Sequence, residues 1–192
     1  MGVLGARGNL MPVVDREPQA WPFTLLDGEQ LPDGAWSALH VLPRNEKVVA
    51  RQLRRDNLRY FLPFHEKKKV YQRRTVRSQL PLFPGYVFVH GDDDAFHNWV
   101  TISQVIRCLQ VEDQHDFETS IRRVYGLLNS GEPVTPESRL QPGMLAEIVD
   151  GPLAGYRGRV LRKGKNLRFV VEVDFLQQGA SVEVDEAMIA AL

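Results

Sequence analysis

A single cysteine in 192 residues leaves no partner for an internal disulfide, which fits a reducing cytoplasm. Cys108 lies in the strand-like run 105–109, where a small buried thiol packs as an apolar side chain. No apolar stretch approaches the roughly 18 residues of a membrane-spanning helix. The N-terminus also lacks the continuous apolar core of a secretory signal, so a cytoplasmic protein with no membrane partner is expected. The histidines His40, His65, His90, His97 and His115 are scattered without metal-ligand spacing. Asp92, Asp93 and Asp94 lack the EF-hand register and its distal glutamate, so they read as a solvated loop. There is no Walker loop, no Gly-x-Gly-x-x-Gly and no Gly-x-Ser-x-Gly. Neither a metal, a cofactor nor an enzymatic activity is expected.

Net charge is also missing, but only on average, because 24 basic residues balance 24 acidic ones. Between Arg44 and Gln79 twelve lysines and arginines face only Glu46, Asp56 and Glu66. From His90 to Glu118 the sign reverses, with seven acidic residues against Arg107 alone. Screening limits a charge's reach to roughly 10 Å, so a neutral chain with a strongly basic third can still bind a polyanion locally.

Residues 1–35 are rich in proline and glycine without periodicity and read as a flexible extension. A strand is expected over 36–42, then a helix capped by Asn45 and running to about Arg59, with Val49 and Leu53 inward. Lys47, Arg51, Arg55 and Arg59 recur on its other side, as a solvated face or a phosphate-facing one. A strand at 60–63 precedes a long charged β-hairpin over 66–78. Asp94 is expected to cap a short helix to Val100, followed by a strand at 105–111 and a helix at 117–129. This order, without βαβ alternation, predicts an α+β sandwich rather than a doubly wound fold.

A Pro-rich polar linker spans 130–141, and five short strands in the remaining 142–192 predict a small β-barrel. Its inward candidates are Ala146, Ile148, Val160, Phe169, Val171, Val173, Phe175, Val182 and Val184. The linker and the separate core predict two modules that act apart.

Two segments carry most of the information. Residues 81–89 read Pro-Leu-Phe-Pro-Gly-Tyr-Val-Phe-Val, a Pro-Gly turn leading into a strand apolar on both faces. That pattern suits a buried central strand, and equally an aromatic cluster that seats a partner. Residues 142–161 place Gly151-Pro152 at a turn and Gly155 and Gly158 where backbones approach closely before the next strand.

The second segment resembles the KOW motif of SH3-like barrels in transcription and ribosomal proteins. Trp-Ser-Ala-Leu-His-Val (36–41) and Leu-Phe-Pro-Gly-Tyr-Val-Phe-Val (82–89) resemble the two hallmark strands of the NusG N-terminal (NGN) domain. Together the chain resembles a bacterial NusG-type transcription elongation factor across 36–192. The resemblance implies an NGN domain at 36–129, with an antiparallel sheet sandwiched by helices, and a five-stranded KOW barrel at 142–192. It implies a monomer whose N-terminal domain binds the clamp helices of RNA polymerase through Trp36, Phe83, Tyr86 and Phe88. The basic hairpin, with Lys67, Lys68, Lys69, Arg73, Arg74 and Arg77, would then face DNA in the elongation complex, mostly through phosphate.

The run from Glu66 to Val89 also resembles RfaH, the specialised antiterminator. Where RfaH has a His-Thr-Thr triplet that reads DNA, this chain has His97, Asn98 and Trp99. His97 and Asn98 are carried over as nucleic-acid contacts, and Trp99 is placed either against a flipped base or in the helix core. In the barrel, Phe175 and Leu176 match the position that binds termination factor Rho or a small-subunit ribosomal protein. The valines of that region disfavour the helical refolding known for RfaH. The competing function is a ribosome- or RNA-binding KOW protein, which accounts for the basic segment but not for the aromatic strand.

Overall fold

Apolar residues on both faces of a strand need cover on both sides, and the computed structural model shows where it comes from. The structure describes residues 16–28, 30–71, 74–137, 143–163 and 166–192. Its first half runs β1 (Ala20–Trp21), β2 (Ala35–Val41), α1 (Glu46–Arg55), β3 (Arg59–Phe61), β4 (Phe64–Tyr71) and β5 (Arg74–Pro81). Then follow β6 (Tyr86–Gly91), α2 (Asp93–Val100), β7 (Val105–Gln110) and α3 (Gln114–Asn129). Five strands form an antiparallel sheet in the order β1-β3-β6-β2-β7, with β6 at its centre.

Alternation sorts the two faces. Leu39, Val41, Tyr60, Val87 and Val89 share a core with Val49, Ala50 and Leu53 of α1 and Trp99 of α2. Trp36, Ala38, Phe61 and Phe88 share the opposite core with Phe117, Ile121, Val124 and Leu127 of α3. The expected sandwich of helices about an antiparallel sheet is present.

Local chemistry sets the helix ends, in places away from the expected residues. Asn45 precedes α1, but its side chain turns back to donate to the Pro43 carbonyl at 3.1 Å. Glu46 does more than complement the helix dipole. It is buried, and its Oε1 accepts from the Gly85 N–H at 2.8 Å, fastening the Pro-Gly turn to the start of α1. Helix α1 stops at Arg55, four residues before the expected end, because Asn57 takes a left-handed conformation with φ of 56°. Leu58 N–H then reaches the Leu53 carbonyl at 2.8 Å and Asn57 N–H the Arg54 carbonyl at 3.1 Å, a Schellman closure. Helix α2 is capped by Asp92, whose Oδ1 accepts from Ala95 N–H at 3.0 Å, so Asp94 sits inside the first turn. Helix α3 begins at Gln114, capped by Asp113.

Residues 16–35 are not a loose extension. Ala20 and Trp21 pair with Phe61 and Tyr60, Leu25 and Leu26 are buried, and Arg122 of α3 donates to the carbonyls of Leu26 and Gly28. The sheet edge at β3 offers unpaired backbone groups, and this segment takes them. The expectation for residues 1–15 lies outside the described residues.

The second half contributes β8 (Thr135–Glu137), β9 (Met144–Ile148), β10 (Arg157–Lys163), β11 (Asn166–Val173), β12 (Gln178–Val184) and β13 (Ile189–Ala191). They form an antiparallel sheet ordered β13-β9-β10-β11-β12-β8. The additional strand β8 comes from the stretch expected to be linker, and Pro136 lies opposite Ala180 at the edge, where a missing N–H costs nothing. Residues 138–142 lie outside the described residues. Of the expected inward residues only Phe175 departs, because it sits in a short 3-10 turn (Asp174–Leu176) rather than on a strand.

The glycines of residues 151–158 divide into two kinds. Gly151 and Gly155 have φ of 87° and 85°, as a tight turn requires. Gly158 instead lets β10 pass close to β11, since a Cβ there would overlap the Val170 carbonyl and the Phe169 ring. Replacing Gly158 with Ala is therefore expected to cost about 1–3 kcal/mol of stability, read as a lower midpoint in chemical denaturation.

Candidate functional site

The aromatic segment folds inward. Trp36 and Phe83 are 1% exposed and Phe88 is fully buried, so these three belong to the core and present no docking surface. Phe88 packs edge-on against Phe83 and Phe117 at 5.7 and 5.5 Å and stacks on Phe61 at 6.3 Å. The reason is the central place of β6, which α3 covers on this face. Tyr86 alone is partly exposed, with its ring stacked on His40 at 5.3 Å. The half-exposed cluster expected from sequence thus reduces to Tyr86 on a rigid aromatic base.

The hairpin of β4 and β5 is a separate two-stranded sheet with Lys67 opposite Ser78 and Lys68 opposite Arg77. Lys67, Lys68 and Arg77 are exposed. Like charges directly across a ladder repel each other, and an anion relieves that repulsion. Among the described residues Glu66 offsets part of this charge, pairing with Arg16 at 2.6 Å and Arg77 at 3.7 Å. Lys69 and Arg74 lie on paired backbone opposite Val76 and Tyr71, and Arg73 lies outside the described residues.

The basic face of α1 is less open than its spacing suggests. Lys47 Nζ donates to the Gln79 carbonyl at 2.7 Å and lies 5.1 Å from the centre of the Phe64 ring. Burial lowers its pKa, an effect partly offset by Glu17. Arg51 and Arg54 face the buried Glu17 carboxylate at 2.8 and 3.8 Å, and Arg59 donates to the Asp33 carbonyl. On α2, His97 and Asn98 are exposed, but each is tied to its own helix. His97 Nδ1 lies 2.7 Å from the Asp93 carbonyl, and Asn98 Nδ2 donates to that of Asp94 at 3.0 Å. Trp99 is 2% exposed in the α1-side core, which removes it as a platform for a flipped base.

Phe175 is 37% exposed, and its ring meets Phe117 edge-on at 5.6 Å. Leu176 packs against the same core. A cleft of about 410 Å³ opens beside them, lined by Gln110, Asp113, Asp116, Phe117, Asp174 and Phe175. On α3, a Cβ at Gly126 would overlap the Tyr156 hydroxyl, so the second sheet sits directly against the helix. One core cluster therefore runs through both halves, against the expectation of modules with separate cores. Sequence reasoning missed Glu17, Gln114 and Arg122, each of which has a partner 34 to 96 positions away that leaves no local signal. Among the described residues no cluster of histidine, cysteine, aspartate or glutamate is suited to a metal, and no helix is long and apolar enough to cross a membrane.

A family model described as "Transcription termination factor nusG" matches residues 34–138, from β2 through the hairpin and α3 to β8. The chain belongs to the NusG family. It is a NusG-type transcription factor of the elongation and termination class. The transcription termination/antitermination protein NusG of Yersinia pestis is 24% identical over 172 residues, spanning 81% of this chain and 95% of that protein. Among solved structures, the chain is similar to Thermotoga maritima NusG, with a TM-score of 0.46 and 18% identity over 83% of this chain and 98% of that one. It is also similar to a chain of the MjSpt4:Spt5 complex in conformation B, with a TM-score of 0.27 and 14% identity over 82% and 96%.

One buried titratable group makes this site sensitive to acid. His90 packs edge-on against Trp36 at 5.1 Å, and its Nδ1 has no hydrogen-bond partner among the described residues. Burial, reinforced by Arg59, lowers its pKa below the usual 6.5, while Glu118 opposes the shift. The unfolded chain therefore binds the proton first as pH falls, and stability drops below about pH 6.5, by at most about 1.4 kcal/mol per pH unit from this group. In urea titrations between pH 7.5 and 5.5, His90→Gln should flatten the pH dependence of stability relative to wild type.

Proposed function

We propose that this chain binds RNA polymerase through the module at 36–129, with Tyr86 as the partly exposed anchor and Trp36, Phe83 and Phe88 as the base that holds it. The observation that carries the reading is the family match, which spans both aromatic strands and the basic hairpin. A tyrosine fixed on a packed ring and partly open to solvent is the kind of side chain that dominates a small interface. The hairpin then lies along nucleic acid in the elongation complex, contacting phosphate rather than bases. The segment 142–192, whose strands join β8 in the second sheet, is a KOW barrel that offers Phe175 and Leu176 to termination factor Rho or a small-subunit ribosomal protein.

Tyr86→Ala should remove about 2 kcal/mol or more of polymerase affinity while leaving the melting curve near that of wild type. Phe88→Ala behaves differently, costing about 3–5 kcal/mol of folding stability because it leaves a cavity in the core. Binding of purified bacterial polymerase, followed by pausing in an elongation assay, tests the reading. Wild-type affinity in a folded Tyr86→Ala chain overturns the anchor. Capture of ribosomal RNA in place of polymerase favours a ribosome-binding role.

Reversing Lys67, Lys68, Lys69, Arg73 and Arg74 to Glu should weaken contact with DNA in the elongation complex. That loss should shrink as salt rises, because counterion release drives phosphate contacts. A loss that does not change with salt, measured by crosslinking to upstream DNA, would count against the hairpin.

A further inference from the structure

The family match begins at residue 34, yet residues 16–28 are built into the fold by two distinct sets of contacts. Leu25 to Gly28 form an anchor on α3. Both leucines are buried, Arg122 Nη1 donates to the carbonyls of Leu26 and Gly28, and the Tyr125 hydroxyl donates to Asp27 at 2.6 Å. Residues 16–19 form an arm of different character, polar and laid across the base of the hairpin and α1. Gln79 holds the Glu17 backbone from both sides, its Oε1 accepting at 3.1 Å and its Nε2 donating at 2.9 Å. The same arm supplies Arg16 to Glu66.

Glu17 is the centre of the arm. Its side chain is only 5% exposed, yet it faces two guanidinium groups that remain substantially exposed, Arg51 at 52% and Arg54 at 37%. Oε2 accepts from Arg51 Nε at 2.8 Å, whereas Oε1 has no hydrogen bond among the described residues and lies 3.8 Å from Arg54. One carboxylate thus sits between two arginines about one helical turn apart on α1 and satisfies only one of them. A phosphate brings more acceptor oxygens and can serve both.

We propose that Arg51 and Arg54 form a phosphate-binding site for nucleic acid and that the arm at residues 16–19 occupies it in cis, with Glu17 standing where a phosphate oxygen would sit. Nucleic acid and Glu17 compete for the same guanidinium groups, and the anchor at Leu25–Gly28 keeps the displaced arm tethered nearby. The arm lowers the chain's affinity for stray nucleic acid and yields where phosphate is dense. This inference rests on the reading that the hairpin and α1 face nucleic acid.

The test is binding of the full-length chain to a fluorescent mixed-sequence DNA duplex across a salt series. Glu17→Gln should bind about 3- to 10-fold tighter at low salt, with a salt slope steeper by about one to two phosphate contacts. Adding Arg51→Gln and Arg54→Gln to Glu17→Gln should erase the gain. Gln79→Ala, which loosens the arm without changing any charge, should shift affinity in the same direction by a smaller factor, a check that does not depend on how Glu17→Gln folds. Unchanged affinity in both Glu17→Gln and Gln79→Ala, or a gain that survives without the two arginines, overturns the inference. If wild type binds and the hairpin reversals abolish binding while Glu17→Gln changes nothing, only the arm's role fails. If no variant binds DNA, the nucleic-acid reading fails with it.

Discussion

Helix α3 is apolar around more of its circumference than one sheet can cover, and both halves of the molecule are built on it. Phe117, Ile121, Val124 and Leu127 meet the first sheet, while Phe117 and the Gly126 turn also receive Phe175 and Tyr156. A helix with apolar residues on more than one face has no stable place at a surface, so a second layer must cover it. Phe88, Phe117 and Phe175 form a run of edge-on rings that crosses from one sheet through the helix to the other. Edge-on ring pairs add about 0.5–1.5 kcal/mol beyond area burial, and their geometry fixes how the layers meet. Gln114 completes the joint, accepting from the Trp36 N–H and donating to the Trp36 and Val111 carbonyls.

Much of the architecture was legible because it follows alternation and turn chemistry. The strand at 36–42, the hairpin at 66–78 and the central strand after Pro84-Gly85 all appear within three residues of their expected limits. The valines and Phe169 of the second sheet point inward as their spacing requires. What failed has a shared cause. Asn57 ends α1 early through a left-handed turn that periodicity does not register, and Asp92 caps α2 because its extended backbone places its carboxylate under Ala95. Pro136 reads as linker chemistry, but it is equally suited to a sheet edge.

The candidate site was legible in type and not in exposure. The aromatic residues of 83–88 share one core, but sequence does not say that α3 lies across them and leaves Tyr86 as the partly exposed one. Arg51 was visible in a periodic basic face and Arg54 lay outside it, whereas the carboxylate opposing both comes from a stretch whose proline and glycine suggested no structure at all. Charge counted along the chain is a poor guide to charge in space when a single buried glutamate answers two arginines.

Gly126 gives α3 a property that its caps and length conceal. Glycine inside a helix costs about 1 kcal/mol relative to alanine, because the unfolded chain gains entropy and the backbone gains access to water. Here the absent side chain is replaced by the Tyr156 ring, which shields that turn from solvent. The middle of the helix is thus held in part by a residue thirty positions further on. If the two sheets part, that turn loses its cover, and the centre of α3 becomes a second place besides its ends where the helix can open.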